Sequence, residues 1–249
     1  MKSRYERWQE ATRSVEGFFA PEAAAAWDFL LEMQEERLSG ALGEIGVYHG
    51  KSAALLALHT GEAEQLYLVD TADRPETGFL RQLVPEQRIT TLVSRSSELP
   101  ALGGQIRHVR KLRWIHIDGE HTGEAVVNDL RLAELALHDE GIICLDDFFS
   151  PMYPQITAAA FEFLSTHRHQ LTLFLCGHNK GYLCRPMAAP AYLKRIRAAF
   201  VSALAARGIR NVTVFRTTTA SDMSCFGVGP RWKDYDYYGL DANPADVPV

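Results

Sequence analysis

The sequence predicts an α/β fold around a mostly parallel sheet, and two stretches carry that prediction. In the first, the apolar run 114–117 ends in Asp118, a helical stretch spans about 124–138, and a second apolar run, 142–145, ends in Asp146 and Asp147. Strand, crossover helix and strand in that order form a right-handed parallel unit, so both strand ends point the same way. In the second, residues 41–52 read as a strand and a glycine turn, 53–59 as an apolar helix, and 65–69 as a further strand that delivers Asp70.

Composition narrows the class. At 249 residues and 47% apolar content, the chain suits one α/β domain with additions. The formal charge is −5 and no basic block stands out, which argues against nucleic acid as a partner. Cys144, Cys176, Cys184 and Cys225 form no Cys-x-x-Cys pair, a usage that suits buried thiols in a reducing compartment better than disulfides or zinc. The first residues are too charged to begin a signal peptide. No apolar run approaches the roughly 20 residues of a bilayer span. The expectation is a soluble, cytoplasmic protein with no membrane partner.

Taken in order, residues 1–16 are expected to be helical, and Gly17-Phe18-Phe19-Ala20-Pro21 breaks the chain and starts a second helix. There Trp27, Leu30, Leu31 and Leu38 make an apolar stripe that ends at Ser39-Gly40. Residues 71–88 read as a loop and helix, 89–93 as a third strand running into Ser94-Arg95-Ser96-Ser97, and 99–110 as a connecting segment. After Asp147 a turn leads into a helix whose Ile156, Ala160 and Leu164 share a face. Two short strands, 171–176 and 182–185, flank a break at His178-Asn179-Lys180-Gly181. Tyr192, Ile196, Phe200 and Leu204 mark another amphipathic helix, followed by strands at 211–217 and 223–228 and an irregular tail, 229–249. This divides the chain into an N-terminal helical segment (1–40), a core (41–185) and an extension (186–249). The extension is read either as a dimer contact, which would make the protein a homo-oligomer, or as a cover over the site.

The core brings three carboxylates, Asp118, Asp146 and Asp147, to one edge of a parallel sheet, where ligands of open α/β sheets bind. Carboxylates repel unless something positive sits among them, which points to a hard cation. The plainer alternative for Asp146 and Asp147 is a solvated loop or helix cap. Gly46 and Gly50 let the backbone approach a ligand at a helix N-terminus. An acid at the next strand end, Asp70, suits a ribose diol, while Gly-x-x-x-Gly spacing counts against a dinucleotide. Tyr48 is placed to pack on the ligand. His121 is read as a catalytic base or as a structural histidine ordering its loop, and Glu120 as a base or a solvated side chain. His116, inside a strand, is read as packed.

Glu44-x-Gly46-x-x-x-Gly50-x-Ser52, then Asp70, Ile117-Asp118-Gly119-Glu120-His121 and Leu145-Asp146-Asp147 together resemble the class I S-adenosylmethionine-dependent methyltransferases. More narrowly, they resemble the metal-dependent O-methyltransferase group that modifies sugars in macrolide and aminocoumarin biosynthesis. The resemblance covers about residues 40–185. It implies a Rossmann-like, seven-stranded sheet with one antiparallel strand, S-adenosylmethionine over the first glycine turn, and Mg²⁺ or another divalent cation on Asp118, Asp146 and Asp147. It further implies that Gly46 and Gly50 flank the methionine moiety, that Glu44 steadies that loop, and that Asp70 holds the ribose hydroxyls. Ser96 would lie on the adenine side, and Glu120 takes the place of an acid proposed as base in some relatives. The activity implied is O-methylation of a small polyhydroxylated or sugar-containing metabolite; the alternative is a cofactor-binding accessory protein that transfers no methyl.

Overall fold

The computed structural model describes residues 2–99, 112–216 and 225–239. The expected connecting segment 99–110 beyond its first residue, residues 217–224 and the end of the tail lie outside them. Helix α1 (Arg4–Ala11) opens with a capping box between Ser3 and Glu6. It is pinned by Trp8, whose indole Nε1 donates to the Lys51 carbonyl at 2.9 Å. Helix α2 (Pro21–Glu35) starts at a proline, as expected, but stops before Ser39-Gly40, so Leu38 falls outside it. Its burial also exceeds one stripe: Ala23 to Leu31 are all buried, Asp28 included, because the helix is wedged between α1, the sheet and helices that follow.

The core then alternates as predicted: β1 (Ala41–Ile45), α3 (Lys51–His59), β2 (Leu66–Asp70), β3 (Ile89–Val93), β4 (Leu112–Ile117), α4 (Gly123–Ala136) and β5 (Leu137–Asp146). Strand β5 is longer than the apolar run 142–145, since α4 hands directly into it. Between β2 and β3 the chain forms two 3-10 turns, Pro75–Gln82 and Glu86–Arg88, in place of the expected helix. Helix α5 (Pro154–Thr166) leads to the hairpin β6 (Thr172–Gly177) and β7 (Lys180–Cys184), and helix α6 (Ala189–Ala206) to β8 (Thr213–Arg216), β9 (Phe226–Gly229) and β10 (Tyr237–Tyr238).

All these strands join one sheet, in the order β10-β8-β9-β6-β7-β5-β4-β1-β2-β3. The anticipated antiparallel strand is β7, paired against both β5 and β6. The extension departs from expectation in two ways. Its strands continue the same sheet from β6, and the tail expected to be irregular supplies β10. Strands β8 and β10 therefore also run against the majority. Helices α1, α2, α3 and α6 bury one face of the sheet, and α4 and α5 the other. No helix among the described residues is long and apolar enough to cross a membrane.

The hairpin is tighter than the break the sequence suggested. His178 and Asn179, both at positive φ (52° and 65°), form the two-residue turn whose twist matches its flanking strands. Lys180 is thereby drawn into β7, opposite Asp146. Third from one edge of the sheet, β1 is flanked by β2 and β4, the point where the chain order reverses and a crevice opens beyond the strand ends.

Candidate active site

One wall of this crevice is the turn after β1. Gly46 sits at φ +84°, and a Cβ built on it would fall 1.8 Å from the Asp118 carbonyl oxygen, so the tip of β1 touches that of β4. Gly50, at φ +79°, is the N-cap of α3. Tyr48, itself at positive φ (47°), is exposed and stacks on His49 with ring centroids 3.9 Å apart. Asp70 closes the turn from the end of β2: its Oδ2 accepts the amide N–H groups of Val47 (3.0 Å) and Tyr48 (3.1 Å). Its Oδ1 accepts that of Ala72 (3.1 Å) and pairs with Arg74 (3.0 Å). Burial pushes the Asp70 carboxyl up, but Arg74 and the three amides outweigh it and hold the group below its usual range. Those four bonds use the acceptor sites a carboxylate has, so a ribose diol meeting Asp70 would have to displace one of them.

Glu44 and Ser52 lie beneath this turn. Ser52 Oγ donates to Glu44 Oε1 at 2.5 Å, tying the first turn of α3 to β1. The same oxygen is 2.6 Å from His116 Nδ1 on β4. Ser96, in a 3-10 turn after β3, borders the crevice beside Asp129, a carboxyl that burial raises to about 6.

The opposite wall is the acidic edge. Asp118 follows β4, and burial together with the nearby Asp146 charge raises its carboxyl to about 6 against the pull of His121. Asp146 ends β5 but turns inward: Lys180 Nζ lies 2.5 Å from its Oδ1 and His116 Nε2 3.5 Å from its Oδ2. Burial opposes ionisation there, yet His116 and Lys180 drive the Asp146 carboxyl well below its ordinary range. His116 is correspondingly raised to about 9, since Asp146 and Glu44 overcome the effect of its burial. Asp147, at φ +53°, turns outward instead. It accepts from Asn179 Nδ2 at 2.8 Å and faces His121 Nε2 at 2.9 Å. His121 also lies 3.6 Å from Asp118 Oδ1 and stacks on Tyr153, centroids 4.2 Å apart. The Asp118 carboxylate is the main cause of its raised pKa. Glu120 points to solvent and pairs loosely with Arg95 at 3.7 Å.

A single cleft of about 1050 Å³ joins the two walls. It is lined by Gly46, Tyr48, Ser52, Asp70, Ser96, Asp118, Glu120, His121, Asp146 and Asp147, with Glu44 and Gly50 just below. None of its described lining residues lies beyond Asn179. Donor atoms of Asp118, His121 and Asp147 fall within 4.8 Å of one another, as do those of His116, Asp118 and Asp146. The first set opens on the cleft, and its carboxylate oxygens suit a hard divalent cation. Three participants escaped the sequence reading. His116 shares a strand face with Asp118 two residues on, a signal that was visible; Lys180 and Asn179 depend on the hairpin register, which was not.

Residues 44–148 match the family model of a methyltransferase domain. No curated protein matches the sequence. In fold, the chain is similar to the O-methyltransferase NovP (TM-score 0.55, 15% identity, 66% of this chain and 80% of that one). It is also similar to CalS11, a TDP-rhamnose 3'-O-methyltransferase of calicheamicin biosynthesis (0.54, 14%, 73% and 92%). A third similar structure is MycE, a methyltransferase of the mycinamycin pathway solved with Mg and SAH (0.55, 16%, 74% and 54%), of which this chain spans about half.

Proposed function

This chain carries a class I S-adenosylmethionine-dependent methyltransferase domain, and on that premise we propose that it methylates a hydroxyl of a small polyhydroxylated or sugar-containing metabolite, with Mg²⁺ or another divalent cation at the acidic edge. The observation that carries the reading is the convergence of Asp118, Asp147 and His121 on the cleft that the glycine turn also lines. The likeness to O-methyltransferases, one of them described as a TDP-rhamnose 3'-O-methyltransferase, supports the acceptor class.

In this reading the chain's own part is placement and proton handling. Gly46 and the amide-braced turn form the cofactor wall, and Asp70 keeps that turn in shape through Val47 and Tyr48. S-adenosylmethionine, when bound, would supply a sulfonium methyl group open to in-line attack by an acceptor oxygen, a reaction that depends chiefly on alignment. Asp118 and Asp147 would hold the cation, Asp147 being kept in place by Asn179. When bound, a divalent cation would orient neighbouring hydroxyls, lower the pKa of one, and offset the carboxylates that raise the pKa of the imidazole. His121 Nε2 then accepts the acceptor's proton, while Tyr153 fixes the ring plane. Glu120, directed at Arg95 and solvent, is less well placed for that task.

Calorimetric titration of S-adenosylhomocysteine into the full chain should show micromolar binding, and absence of binding would remove this reading. With an accepted glycoside or nucleotide sugar, Asp147→Asn should lower kcat by about a hundredfold or more, the scale of a lost positioning or acid–base group. Its affinity for S-adenosylhomocysteine should stay unchanged. Tight cofactor binding without a methylated product from any such acceptor would favour the non-transferring alternative.

A further inference from the structure

Behind the acidic edge runs a row of four ionisable groups, three of them buried, Glu44 on β1, His116 on β4 and Lys180 on β7, and one, Asp146 on β5, half-buried at the cleft. Glu44 and His116 are register partners, as are Asp146 and Lys180, so the contacts are built into strand pairing and do not depend on mobile surface rotamers. Nearest approaches are 2.6 Å from Glu44 to His116, 3.5 Å from His116 to Asp146 and 2.5 Å from Asp146 to Lys180. Along the row two carboxylates alternate with a histidine and a lysine. It is sealed from above: Trp27 meets the His116 ring at 4.6 Å, and the Phe19 ring lies 5.6 Å from Lys180 Nζ.

We propose that Lys180 is a positioning residue that withdraws Asp146 from the cation-binding donors, so that Asp118 and Asp147 alone hold an incoming divalent ion. The proposal rests on the reading of this edge as a cation site, and it departs from the expected three-aspartate set. Asp146 Oδ1 already faces the Lys180 ammonium, and its Oδ2 lies 3.5 Å from His116 Nε2. A divalent ion on Asp146 would sit beside the Lys180 ammonium, and like charges at such a distance repel strongly where water is scarce. The ammonium has nowhere to retreat, because its side chain is only 4% exposed. Asp147, one residue on, is free of this constraint: its left-handed backbone turns it toward the cleft, where its partners are the neutral Asn179 amide and His121. Asp146 instead anchors the row, and through His116, Glu44 and Ser52 that row reaches the first turn of α3 under the cofactor wall.

Mn²⁺ titration of the full-length protein, followed by the electron paramagnetic resonance signal of the free ion, tests this without turnover. Lys180→Met should bind Mn²⁺ at least about tenfold more tightly than the unaltered chain, since Asp146 rejoins the donors, and Lys180→Arg should restore the original affinity. A change of that size lies within the range that outer partners of metal ligands produce. The Asp146→Asn/Lys180→Met double variant keeps the charge sum, so its affinity should stay within about threefold of the original, whereas Asp147→Asn should lose about tenfold or more. The proposal is overturned if Lys180→Met binds Mn²⁺ no more tightly than the unaltered chain, including the case where neither binds. It is equally overturned if the double variant loses as much as Asp147→Asn, and this arm decides the matter should Lys180→Met fail to fold. Failure of the methyltransferase reading would appear separately, as absent S-adenosylhomocysteine binding.

Discussion

A methyl group on Gly46 would lie 1.8 Å from the Asp118 carbonyl oxygen, a backbone atom held in place because the Asp118 amide donates to Ile45 O at 2.8 Å. The glycine's φ of +84° adds a conformational penalty for any other residue. Gly46→Ala must therefore part the tips of β1 and β4. We expect a loss of about 2 kcal/mol or more in unfolding free energy, on the scale of overpacked sites, together with loss of S-adenosylhomocysteine binding. An unchanged denaturant midpoint would show that the two strand tips are not in contact. The same residue shows how far a single position can be read from sequence. A glycine between a strand and a helix announces a close approach, but whether the neighbour is a ligand or another strand is decided by atoms 72 positions away in the chain.

Elements whose partners are close in sequence were legible, and those defined by long-range register were not. Tyr192, Ile196, Phe200 and Leu204 recur at helical spacing and are all buried on α6, because one helix face is enough to define them. Lys180 lies in a stretch that reads as a break, and only the two positive-φ residues before it set the β7 register that buries it. Arg113 is a second case. It precedes the apolar run 114–117 in the sequence, yet it lies within β4 and is fully buried, with Nε and Nη2 each 2.9 Å from a Glu64 oxygen and Nη2 2.6 Å from the His59 carbonyl. Gln34 of α2 donates to its backbone carbonyl at 2.6 Å. One guanidinium thus joins β4 to the C-terminus of α3 and to the loop before β2. Arg113→Met would leave Glu64 charged and buried with the Gly40 and Gly61 amides (2.8 Å each) but no cation against it, a change that destabilises by about 3 kcal/mol, the lower end for a broken buried pair. Arg113→Met/Glu64→Leu should recover most of that. Chemical denaturation of both variants measures the difference, and a loss below about 1 kcal/mol for the single variant would mean that water already reaches Glu64.

For the molecule as a whole, strand order at the centre of the sheet followed from the predicted parallel units, whereas the continuous edge from β6 to β10 did not. Four-residue strands and a two-residue one carry too little periodicity to reveal that they share a sheet with the core. Global stability against pH integrates groups from all these parts. Asp28, Glu64 and Asp70 are each depressed: burial raises them, but His59 and Arg207 act on Asp28, Arg113 on Glu64, and Arg74 on Asp70 with larger effect. A depressed carboxyl contributes stability that is present above its unfolded value, 3.8 for Asp and 4.5 for Glu, and is lost as pH falls through the folded value. Asp129 works the other way. Burial lifts it from 3.8 to about 6, so the folded state binds its proton more readily than the unfolded chain and gains stability as pH falls from neutrality through that value. Together these groups should give a denaturant midpoint higher near about pH 5.5 than at about pH 7, by no more than about 1 kcal/mol in unfolding free energy, and falling steeply below about pH 4. Asp129→Asn removes one of the two carboxyls raised among the described residues, the other being Asp118, so its midpoint should rise less between about pH 7 and 5.5 than that of the unaltered chain while the collapse below about pH 4 persists. A variant that gained as much stability on mild acidification as the unaltered chain would assign that gain to groups other than Asp129.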